Sequence, residues 1–202
     1  MHGLVNRAIQ CFVRDTCGVD AWESLARAID VGPEGFEAML TYDDSLTEAL
    51  LAEATTQLDK PEEMLLEDLG TYLVSHPNTE AIRRLLRFGG ETFVEFLLSL
   101  DDLPDRARLA VPDLDLPTLE VSGGEDGQYV LEMRGGFPGF HHVLIGVLRA
   151  MADDYGALVL LDEHGAEEEG PQLRISLLDS AFAEGRSFTL ARPSPTGTGA
   201  NG

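Results

Sequence analysis

Positive charge is what this sequence has least of. Fourteen lysines and arginines stand against 36 aspartates and glutamates, a formal charge of −22. A surface of that sign repels phosphate backbones and anionic headgroups, so neither nucleic acid nor a membrane surface is an expected partner. Cysteine is also scarce: Cys11 and Cys17 are the only two, six residues apart. That spacing supports neither a disulfide framework nor a zinc ribbon, and both are expected as free thiols in a reducing compartment. No apolar run reaches the length of a membrane span, and the opening MHGLVNRAIQ is amphipathic rather than a signal peptide, so a cytoplasmic location is expected. No glycine-rich phosphate loop follows a strand, because the glycines at 123–127 sit in an acidic hairpin. There is no nucleophile elbow, and neither cysteine has an evident histidine partner. The chain therefore reads as a non-enzyme.

What is present is enough apolar residue, 44% of 202, for a sizeable core. Up to about residue 104 the periodicity is helical. Leu4, Val5, Ala8, Ile9, Phe12 and Val13 mark a first helix, and Asp20 is placed to cap a second that carries Trp22, Leu25 and Ile29. A short helix is expected through Phe36 and Met39, and a capping box at Ser45–Glu48. Pro61 falls at the first position of a helix through Leu65, Leu66, Leu69 and Leu73, and Asn78 is placed to cap the next. After Pro117 the period changes to two: a hairpin over 119–134, a helix over 140–155, a strand over 158–161, an acidic loop over 162–170, a returning strand over 173–178 and one more short strand expected at 187–190. The order is α+β. The expected organisation is one domain over 1–192, with a helical part to about 104, an α/β part over 105–192, and a disordered tail at 193–202.

The seam between the halves lies in residues 91–117. Thr92, Phe93, Phe96, Leu97 and Leu100 form one apolar face, Pro104 is expected to stop that helix, and an irregular segment carrying Pro112 and Pro117 follows. Such a seam is where a cavity is expected. The aspartate pairs 43–44, 101–102 and 153–154 lie at helix ends and read as caps or solvated charges. Of the five histidines, His141 and His142 are adjacent on a helix, so at most one is expected to face inward. No histidine pair has the four-residue spacing of a zinc helix.

The opening Met1-His-Gly-Leu-Val-Asn6, the Asp20/Trp22 turn, Leu69-Gly-Thr-Tyr-Leu73, the helix over 93–100, the segment 109–117 and Val143-Leu-Ile-Gly-Val-Leu148 occur in this order along nearly the whole chain. Together they resemble the haem nitric oxide/oxygen-binding family, H-NOX. That resemblance implies a helical N-terminal subdomain, a C-terminal subdomain of antiparallel sheet with helices, and haem b buried between them. The pocket wall would be Val5, Pro117, Val143, Leu144 and Val147, with Val143 in place of the distal tyrosine and so a preference for nitric oxide over oxygen. The chain departs from the family where iron and propionates are held. The proximal histidine falls on Pro104, and the Y-x-S-x-R positions fall on Met133, Gly135 and Phe137, with Arg134 the nearby cation. Two readings follow. In one, haem is bound through another imidazole, His76 first, then His142 and His2, with nitric oxide displacing it. In the other, the scaffold is a haem-free interaction module or holds a different apolar ligand. In length the chain resembles stand-alone bacterial members, which regulate a separate diguanylate cyclase or histidine kinase.

Overall fold

The computed structural model describes residues 1–164 and 170–187. The glutamate run at 167–169, the expected tail and, apart from Ser187, the expected strand at 187–190 lie outside these residues. Helices come first: α1 (Gly3–Cys17), α2 (Val19–Ala28), α3 (Asp44–Leu58), α4 (Glu62–Ser75), α5 (Glu80–Arg87), α6 (Phe93–Leu98) and α7 (Leu103–Ala110). Strands β1 (Thr118–Gly123) and β2 (Gln128–Arg134), helix α8 (Phe140–Tyr155) and strands β3 (Leu158–His164) and β4 (Gln172–Asp179) complete it. The sheet is antiparallel throughout, in the order β1-β2-β4-β3.

Several local expectations are corrected. Gly18, at φ 96°, occupies the N-cap of α2, and Asp20 sits in the first turn. Residues 32–42 form turns and no helix. Gln10 accepts the Phe36 N–H at 2.9 Å and donates to the Glu34 carbonyl at 3.0 Å, while the Trp22 indole donates to the Pro33 carbonyl at 3.0 Å. These buried side chains take up the backbone groups that a helix would have used. Asp43 caps α3 by accepting the Ser45 N–H, so the cap lies two residues before the expected box. Pro61 is itself the N-cap of α4. His76 rather than Asn78 accepts a backbone N–H at the turn after α4. Thr92 caps α6 with a complete capping box to Glu95. Pro104 does not end the helical stretch. A 3-10 turn over Ser99–Asp102 leads directly into α7, whose first turn tolerates Pro104 because those N–H groups have no intrahelical acceptor. The strand expected to end at 161 runs on to His164, paired to Gln172 across β4.

Apolar packing forms two cores. One gathers α1–α4: Ile9, Phe12, Trp22, Leu25, Phe36, Leu50 and Leu65 are almost fully buried in it, and Val143 joins them from α8. The other joins α5, α6, the 3-10 turn and α8 to one face of the sheet, around Phe96, Leu97, Leu100, Leu131, Leu148 and Ile175. The cores meet where α4 crosses α8. An added Cβ at Gly70 would come within 2.0 Å of the Val143 carbonyl oxygen, and one at Gly146 within 1.9 Å of the Glu67 carbonyl oxygen. The two backbones approach this closely only because both positions lack a side chain.

Candidate functional site

A cavity of about 750 Å³ opens beside the start of α1, walled by α3 and by the loop between β2 and α8. His2 and Val5 line it from α1, Thr47 and Leu51 from α3, and Phe137 and Pro138 from the loop. Phe137 packs edge-on against Phe140, centroids 5.5 Å apart, and leans on the N-terminal core. Five carboxylates share the lining: Asp44, Glu48, Glu62, Asp113 and Asp115. Among these lining residues the one cation is the Met1 ammonium, which binds Asp44 at 2.5 Å and the Tyr42 carbonyl at 2.7 Å. The cavity's electrostatics favour a cation and oppose an anion.

The histidines sit in different places. His2 lies in the cavity as the N-cap of α1, with Nδ1 accepting the Leu4 N–H at 3.2 Å. That bond places the neutral ring's proton on Nε2 and occupies the Nδ1 lone pair. His76 lines a second groove of about 520 Å³ with Tyr72, Cys17 and Lys60, and no residue lines both spaces. Its ring stacks on Tyr72 at 4.8 Å, and Nδ1 accepts the Asn78 N–H at 3.3 Å with Asp15 Oδ2 3.6 Å away. His142 and His141 stand at the start of α8, on the side facing β3. His142 Nδ1 is 3.2 Å and His141 Nε2 3.7 Å from the same Glu163 oxygen. Burial is the main cause that lowers the His141 pKa, and the neighbouring His142 adds to it.

The haem-NO-binding family profile matches residues 2–161. The chain belongs to the haem-NO-binding, or H-NOX, family. Among its relatives are soluble guanylate cyclase 89Db of Drosophila melanogaster, 21% identical over 158 residues, and the human guanylate cyclase soluble subunit beta-2, 30% identical over 87. The match covers 78% of this chain but 24% of the first, and 43% but 14% of the second, so the chain spans about a quarter or less of these relatives. Similar solved structures include a Cs H-NOX mutant with 4-cyano-L-phenylalanine at site 5, with a TM-score of 0.75 at 15% identity, covering 91% of this chain and all of that one. An S. oneidensis H-NOX protein in the Fe(II)NO ligation state has a TM-score of 0.73 at 16% identity, covering 89% of this chain and all of that one. The expected α+β architecture is therefore that of the H-NOX fold.

Of the H-NOX wall positions, only Val5 lines the large cavity. Val143, Leu144 and Val147 are buried in side-chain packing between the cores, and Pro117 is buried against the Gly135–Gly139 loop, close to Gly136. Arg134 is exposed and pairs with Glu132 at 3.2 Å and Glu120 at 3.6 Å. Pro104, where the family resemblance places the iron-ligating histidine, is buried in the first turn of α7 and offers no donor atom. Among the described residues, the fit to the family's haem is poor: position 104, where the resemblance places the proximal ligand, offers no donor, the cavity rim is acidic, and the lining imidazole of His2 uses its Nδ1 lone pair on the Leu4 N–H. Sequence reasoning missed Glu163 as a partner of His141 and His142. It lies in the stretch read as a loop, and only the continued pairing of β3 with β4 carries it to the start of α8.

Proposed function

We propose that this H-NOX chain is a non-catalytic regulatory domain that keeps the family scaffold without the family's iron ligation, and that it acts on a separate signalling enzyme, a diguanylate cyclase or a histidine kinase. The observation that carries this reading is Pro104, buried at the start of α7 where an iron ligand would be required. Its backbone is fixed by the turn Ser99–Asp102 before it and its ring is inside the fold, so no rotamer change supplies a donor. The five carboxylates around the cavity point the same way, because two propionates placed there would meet like charge with only the Met1 ammonium, already paired with Asp44, to offset it.

The second reading, a haem sensor with a relocated ligand, has one observation in its favour: His2 and Val5 face the same large cavity. His76 lines a separate groove. The test is the output of a purified cyclase or kinase partner with and without this chain, each with and without nitric oxide. The haem-free reading expects the chain to alter output to the same degree in both gas conditions. A nitric oxide effect lost in His2→Ala would establish the haem reading instead, and turnover by the isolated chain would overturn both.

A further inference from the structure

The start of α8 and the end of β3 bring together a side-chain set that the proposed function does not use. His141 and His142 from α8 and Glu163 from β3 each offer one ligand atom, and the three atoms lie within 4.8 Å of one another. We propose that these three residues form a binding site for a divalent transition ion of the zinc class. The spacing fits that ion. Tetrahedral zinc with bonds of about 2.0–2.1 Å holds its ligand atoms about 3.3 Å apart. Here His142 Nδ1 and His141 Nε2 stand 3.2 and 3.7 Å from one Glu163 oxygen. His142 Nδ1 is buried and has no hydrogen-bond partner among the described residues, so a buried donor atom stands unused 3.2 Å from the Glu163 oxygen.

Chemistry and charge favour occupancy. Two imidazoles and one carboxylate are borderline donors suited to zinc, cobalt or iron rather than calcium or magnesium. The imidazoles lie against each other with centroids 3.9 Å apart, and a metal would take both in the neutral form. The positive end of α8 opposes a cation with about half a charge, but it is spread over the first turn, whereas Glu163 supplies a full negative charge in direct contact. The net charge of −22 adds a long-range attraction. Three protein ligands leave the fourth position to water.

Occupancy would clip the first turn of α8 to β3. The residue preceding the two histidines, Phe140, makes the edge contact with Phe137 that shapes the cavity wall, so an ion bound here would stiffen one side of that cavity.

The test is titration of the metal-free full chain with Co²⁺, followed by visible d–d bands, and with Zn²⁺, followed by melting temperature. The expected result is one ion per chain and a rise of about 5–10 °C at a hundredfold excess of free Zn²⁺ over Kd. Glu163→Gln and His142→Ala should each weaken binding about tenfold or more. Glu163 is half exposed, so its variant folds even if the histidine variant does not, and a Cys17→Ser chain, which removes the exposed thiol, should bind like the unmodified one. Equal binding by the unmodified chain and Glu163→Gln, loss of the signal in Cys17→Ser, or no stoichiometric binding would each overturn the proposal.

Discussion

At the residue scale, Gly146 and Gly70 are where single atoms decide the architecture. A methyl at Gly146 would meet the Glu67 carbonyl and the Thr71 amide nitrogen, both backbone of a packed helix. Gly146→Ala therefore loses about 1–3 kcal/mol of stability by overpacking, despite the gain in helix propensity, and its urea midpoint falls measurably. An unchanged midpoint would mean that the two helices separate freely. Asp15 belongs to the same scale. Its Oδ2 accepts the Tyr72 hydroxyl at 2.6 Å and the Asn78 amide at 2.9 Å, and the Tyr72 bond is the main cause that holds its carboxyl below the ordinary value. A depressed folded pKa contributes stability that is fully present above about pH 4 and is lost as the pH falls through the lower folded value. Asp15→Asn should therefore show a shallower fall in stability below about pH 4 than the unmodified chain. Equal slopes in acid-unfolding curves would contradict that assignment.

At the element scale, α5 is tied to the end of α8 by a buried charge. Asp154, 1% exposed, accepts from Arg83 Nε at 3.0 Å and Nη2 at 2.5 Å, and Arg87 lies over the Tyr155 ring at 3.9 Å. Removing this buried carboxylate breaks its charge-assisted bonds to α5, so Asp154→Ala should cost about 1.5–3 kcal/mol. Calorimetry showing no fall in melting temperature would refute the clamp. The sequence read Asp153 and Asp154 alike as helix-end charges. Nothing local separates them, because the distinction is made by α5, some seventy residues earlier. Elements with strong periodicity were legible: α8 spans 140–155 as expected, and the 119–134 hairpin pairs in register. Elements whose form depends on a distant partner were not. Residues 32–42 read as helix-capable until Gln10 and Trp22 claim their backbone, and the 162–164 segment reads as loop until β4 pairs with it. Pro104 read as a helix stop, whereas it sits in the first turn of α7; proline fits both places and only the preceding 3-10 turn chooses.

At the scale of the whole molecule, the H-NOX fold is shared with TM-scores above 0.7 at about 15% identity, while the positions the resemblance assigns to iron and propionates carry Pro104, Met133 and Gly135. Packing explains how both hold. The fold rests on two cores and the glycine crossing between them, and neither needs a donor at position 104 or hydroxyls at 133 and 135. The candidate site was only partly legible for the same reason. That Pro104 stands where the resemblance places the iron ligand could be read from one position, whereas the acidic lining gathers Asp44, Glu62 and Asp115 from three separate stretches. The measurement that bears most directly on haem-free regulation is a titration of ferrous haem into the full chain, read as the Soret band with and without nitric oxide and repeated in His2→Ala and His76→Ala. A broad band that rises without a stoichiometric end point and is the same in all three chains is the expected result. A sharp band saturating at one haem per chain, shifted by nitric oxide and lost in either variant, would contradict it and restore this chain as a gas sensor with a relocated iron ligand.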